Sequence, residues 1–129
     1  MLARTPEGID RARLTALLRA LPERSGDTGA ARVVRAPGRV NLIGEHLDHV
    51  GGASLPIAID RGLLIKARHR TDRVINVWSN GQKTSFDASV APGDVDGWPA
   101  FPAGAAWALG QAGVSVPGAD LVIESTLPM

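Results

Sequence analysis

The sequence predicts an α+β fold. Three observations carry this: six short β-like segments crowd residues 31–88, one helical stretch follows at 99–112, and one more strand-like segment sits at 119–125. Strands that cluster, instead of alternating with helices, argue against a doubly wound sheet.

Residues 9–21 (IDRARLTALLRAL) place apolar side chains at 9, 14, 17, 18 and 21, which is helical spacing, and Pro22 helps stop the helix. The polar stretch ERSGDTGAA reads as a linker. ARVVRA, RVNLIG, SLPIAI, LLIKARH, VINVWS and KTSFDA then read as strands, separated by turn residues such as PG, TDR and SNG. RVNLIG in particular has the look of a buried strand. Over 99–112 apolar residues fall at 101, 105, 108, 109 and 112. Pro99 and Pro102 must lie in or before the first turn of that helix, because proline is not tolerated further in. Trp98, Phe101 and Ala105 share one apolar face in this reading. ADLVIES is the last strand.

The bulk numbers exclude several classes. At 129 residues, one domain of modest size is expected. Fourteen basic and 13 acidic residues nearly cancel, so no strong field favours nucleic acid or an anionic membrane. Cysteine is absent, which removes disulfides and thiolate metal sites and fits a reducing compartment. No apolar run is long enough to span a bilayer, and the first residues lack a signal-peptide core. A cytoplasmic protein is expected.

The unusual stretch is EHLDH, residues 45–49, where two acids and two histidines occupy five positions directly after a strand. Turns are normally rich in Gly, Asn, Pro and Ser. A solvated, incidentally charged turn is one reading. A metal site is a second, because HLDH resembles the tail of the H-x-H-x-D-H signature of metallo-β-lactamase-like hydrolases, and imidazole and carboxylate suit zinc. Against it, the first His of that signature falls on Gly44, and His69 is the only other histidine. A sugar site is the third reading. Carboxylates accept from neighbouring hydroxyls, and imidazole donates or accepts. A strand followed by a tight turn supplies the fixed geometry that hydroxyl recognition needs.

The longer stretch GRVNLIGEHLDHVGGASLPIAID closely resembles the signature of the galactokinases, within the GHMP small-molecule kinase superfamily. WPAFPAG resembles that family's W-x-x-Y-x-x-G helix start, and GVSVPGADL its G-x-x-V-P-G-x-D-L turn. The resemblance implies an N-terminal half-domain of the GHMP-kinase fold, with a mixed or antiparallel sheet, a leading helix, and one helix packed on the sheet. It implies one incomplete domain over 1–129, with residues 1–29 as leading helix and linker and 30–129 as the sugar-binding core. By the same resemblance Arg39 would stabilise the transition state of phosphoryl transfer beside the anomeric hydroxyl. Glu45, His46 and Asp48 would contact sugar hydroxyls, and Leu47 would line the pocket through its backbone. Asn41 and Gly44 would shape the turn. Ser79, Trp98 and Phe101 would meet the nucleotide. Leu47 stands where Thr is usual, and His49 and Val50 where Tyr and Asn are frequent, which bears on which sugar is bound.

The implied reaction is transfer of a phosphoryl group from ATP, with Mg²⁺, to the anomeric hydroxyl of galactose or a close analogue, by a monomer when full length. A non-catalytic sugar sensor on the same scaffold is the alternative. The family's Gly- and Ser-rich phosphate loop should begin just after Pro128, with the catalytic Asp and the metal ligand beyond. Residues 1–129 alone are therefore expected to lack kinase activity and to supply no metal ligand.

Overall fold

The computed structural model describes residues 12, 19, 30–47 and 50–127. The expected leading helix lies outside them except for Ala12 and Arg19, both helical and exposed. The described elements are β1 (Arg32–Ile43), β2 (Leu55–His69), β3 (Val74–Ser79), β4 (Gln82–Asp87), α1 (Ala100–Gln111) and β5 (Ala119–Ser125). The strands form a five-stranded sheet in the order β1-β2-β5-β3-β4. All neighbours are antiparallel except β3 and β5, which run parallel. The sheet is therefore mixed, as expected.

Four of the expected strands merge into two. ARVVRA and RVNLIG are one strand, β1, and SLPIAI and LLIKARH are one strand, β2. Pro37-Gly38 looks like a turn but produces a bulge. Pro37 pairs with Gly62 and Arg39 with Ala58, so Ile59, Asp60 and Arg61 face the single residue Gly38. Such a bulge bends a strand without ending it. The Asp60 carbonyl accepts a hydrogen bond from Arg35 Nη2 at 2.8 Å, which ties the extra residues down. Asn80 and Gly81, both left-handed, form the two-residue turn between β3 and β4 that Asn-Gly signals.

One face of the sheet holds the apolar core. Ile75, Val77, Ala88, Val90, Ala103 and Ala106 are buried together, with Phe86, Val95, Trp98, Val116, Leu121 and Ile123 against them. α1 thus packs on the sheet through its small residues Ala103 and Ala106. The face expected from periodicity is different: Phe101 is 83% exposed and Ala105 is also exposed. The helix is apolar nearly all round, so spacing alone selects no stripe. Pro99 is the N-cap and Pro102 lies in the first turn, where missing N–H groups cost nothing.

The other face carries a buried polar hub. Asp120, 2% exposed, lies between Arg68 and Asn76 in the cross-strand register. Its Oδ1 accepts from Asn76 Nδ2 at 2.7 Å and Arg70 Nη1 at 3.2 Å, and its Oδ2 from Arg68 Nη2 at 3.4 Å. Burial alone would raise its pKa. The Asn76 hydrogen bond and the two arginines outweigh that and hold it below the usual carboxylate range. Gly118 precedes this hub in a crowded corner, where a Cβ would lie 2.3 Å from the Asp72 carbonyl oxygen.

RVNLIG is not buried. Val40, Leu42, Ile43, Leu55 and Ile57 are all exposed. β5 pairs with β2 only as far as Leu63, so beyond Gly62 the β1–β2 pair projects as a two-stranded arm with no third strand beside it among the described residues.

Candidate functional site

The arm ends in the turn that carries the polar cluster. Gly44 has φ 89°, and a side chain there would lie 2.5 Å from the Ala53 carbonyl, so only glycine fits. His46 is left-handed too, at φ 62°, a conformation that costs a non-glycine residue energy and is enriched where function fixes the backbone. Leu47 closes the turn. Its N–H donates to the Gly44 carbonyl at 3.3 Å, and its carbonyl accepts from Val50 at 3.2 Å and Gly52 at 2.9 Å. Its side chain lies against Gly52, where a Cβ would come within 2.8 Å. Both backbone polar groups of Leu47 are thus engaged inside the turn. Glu45 and His46 are exposed at the tip, while Asp48 and His49 lie outside the described residues.

Arg39 is exposed on β1 five residues before Gly44, with no side-chain partner among the described residues. Asn41, two residues on, is half-buried and pairs with Pro56. Ladder pairing of Arg39 with Ala58 fixes the backbone under the guanidinium. Arg39, Glu45 and His46 are therefore held on one strand and its turn.

The three nucleotide candidates are differently placed. Ser79 ends β3, half-buried, opposite Ile123 of β5. Trp98 packs against the apolar core, while Phe101, one turn on, presents its ring to solvent. An exposed aromatic face suits stacking of a base; a ring committed to the core suits it less. Among the described residues no group of three or more His, Asp or Glu is arranged to hold a metal ion, and His69 is exposed at the far end of β2.

One feature escaped the sequence reading. The chain leaving β5 crosses to the bulge between β1 and β2. Thr126 meets both backbone groups of Gly62, and Leu127 lies so close to Gly38 that a Cβ there would be 2.6 Å from its Cδ2. The signal available in the sequence was glycine inside two strands, which marks a bulge or a close approach.

Residues 22–69 match the family model described as the galactokinase galactose-binding signature. A curated galactokinase from Roseiflexus sp. is 41% identical over 98 residues, covering 74% of this chain and 25% of the relative. The crystal structure of Lactococcus lactis galactokinase complexed with galactose superposes with a TM-score of 0.68 at 31% identity, over 81% of this chain and 28% of that one. Methanococcus jannaschii mevalonate kinase gives 0.61 at 20% identity, over 79% and 34%, which speaks to the fold alone. The chain spans about a quarter of the length of the curated relatives it matches.

Proposed function

We propose that this chain, which is similar over most of its length to galactokinases, supplies the sugar-binding part of an enzyme that phosphorylates galactose, or a close analogue, at the anomeric hydroxyl. The observation that carries this reading is the hydrogen-bonded start of the turn after β1. Left-handed Gly44 and His46 and the doubly accepting Leu47 carbonyl hold Glu45 and His46 in place on the strand that carries Arg39. Hydroxyl recognition requires groups fixed at close spacing, and a turn locked by its own hydrogen bonds provides them.

In this reading Glu45, His46 and Asp48 orient the sugar. Arg39 places a fixed positive charge where negative charge accumulates on the transferred phosphoryl group. Phe101 offers a face to the adenine, with Ser79 and Trp98 bordering it. ATP is the second substrate in this reading and brings Mg²⁺. Catalysis is then mainly a matter of positioning and charge stabilisation. The enzyme works as a cytoplasmic monomer in this proposal.

The test is Asp48→Asn in the complete protein. The change keeps the size but replaces one acceptor with a donor. Hydrogen bonds to charged groups are worth about 1.5–3 kcal/mol, so kcat/KM for the sugar should fall about ten- to a hundredfold. KM for ATP should barely move. Unchanged sugar kinetics, or equal losses on both substrates together with a lower melting temperature, would remove Asp48 from the sugar site.

A further inference from the structure

We propose that Thr126 is a positioning residue for the phosphoryl transfer proposed above, acting through a clasp between the end of β5 and the bulge that aims Arg39. The inference rests on that functional reading.

Three contacts make the clasp. The Gly62 N–H donates to Thr126 Oγ1 at 2.8 Å. The Thr126 N–H donates to the Gly62 carbonyl at 3.0 Å, and the Thr126 hydroxyl donates to the same oxygen at 3.2 Å. One side chain thus both accepts from and donates to one residue, extending the β2–β5 ladder a step past its last pair, Leu63–Ser125. Ser125 adds a local lock, its Oγ accepting from the Leu127 N–H at 3.1 Å.

The place where this happens matters more than its strength. Gly62 pairs with Pro37, and Gly38 follows, facing three residues of β2. Leu127 covers Gly38 so closely that a methyl group could not be added without moving it. The next residue is Arg39. No backbone hydrogen bond within the β1–β2 arm can brace the bulge from this side, because β5 has already ended. Thr126 and Leu127 do so instead. The direction of the β1 strand at Arg39 follows from the shape of the bulge, and the clasp holds that shape. A reacting group displaced by about 1 Å can lose a hundredfold in rate.

The clasp is tested in the complete protein with Thr126→Val, which keeps the shape and removes the hydroxyl, and Thr126→Ser, which keeps the hydroxyl. Thr126→Val should lower kcat about tenfold or more while KM for the sugar changes less than about twofold, because the sugar turn keeps its own hydrogen bonds and moves with the arm as a unit. Thr126→Ser should restore kcat. Gly62 amide exchange should quicken in Thr126→Val and stay slow in Thr126→Ser. A Thr126→Val kcat within twofold of the parent, or equal loss in both variants, would overturn the proposal. If Thr126→Val does not fold, Gly38→Ala presses on Leu127 from the other side with the hydroxyl intact, and an unchanged kcat there would be equally decisive against it. If the parent protein phosphorylates no sugar, the functional reading fails by itself. The clasp is then judged by the exchange measurement, and unchanged Gly62 protection in Thr126→Val would dismiss it.

Discussion

Arg39→Ala in the complete protein is expected to lower kcat about a thousandfold, at the low end of what a charge-stabilising arginine contributes to phosphoryl transfer. The melting temperature should hardly change. Arg39 is exposed and has no side-chain partner among the described residues, so its removal breaks no contact that supports the fold. Its backbone stays paired with Ala58. Arg39→Lys keeps the charge and loses the planar fork, so it should recover only part of the loss. Steady-state kinetics with a parallel melting curve checks this. An Arg39→Ala enzyme with near-parental kcat would show that the charge is not aimed at the phosphoryl group.

Asp120→Ala has the opposite profile: the fold should suffer. Asp120 is 2% exposed and satisfies Asn76, Arg68 and Arg70 at once. Removing one partner of a buried charge cluster costs about 3–5 kcal/mol. The lower end is expected, because Arg70 keeps its ion pair with Asp72. The same group sets a pH dependence. Its carboxyl is held below the usual range in the folded state, so its contribution is present above the unfolded carboxylate pKa, about 3.9, and is lost as pH falls through the folded value. Urea unfolding of the parent and of Asp120→Ala at neutral pH and near pH 3 reads both effects. The midpoints should lie far apart at neutral pH and draw together in acid. Equal midpoints at neutral pH would contradict the hub.

The sequence made the element types legible, since VINVWS, KTSFDA, ADLVIES and the helix after Pro99 stand where their patterns put them. It misled where one local signal has two physical outcomes. Pro37-Gly38 marks a break in a strand, and whether that break is a turn or a bulge depends on the partner strand. The apolar run of β1 suggests burial, yet burial is decided by what lies against it, and among the described residues no third strand does so beyond Gly62. The helix after Pro99 is too uniformly apolar for periodicity to choose a face. The polar cluster stood out because its composition is wrong for a turn. Asp120 did not, because a single Asp in a strand carries no pattern of its own until Arg68 and Asn76 are brought beside it. Thr126 was hidden for the same reason: its partner, Gly62, is 64 residues away.

The central claim, that this turn and strand serve anomeric phosphorylation of a galactose-like sugar, is tested most directly by phosphorus NMR of the complete protein with ATP, Mg²⁺ and galactose. The account predicts ADP together with a sugar phosphate whose phosphorus couples to the anomeric proton. It also predicts far slower turnover of glucose, the C4 epimer. A folded, ATP-binding protein that forms no sugar phosphate from galactose, or that places the phosphate on another hydroxyl, would contradict it.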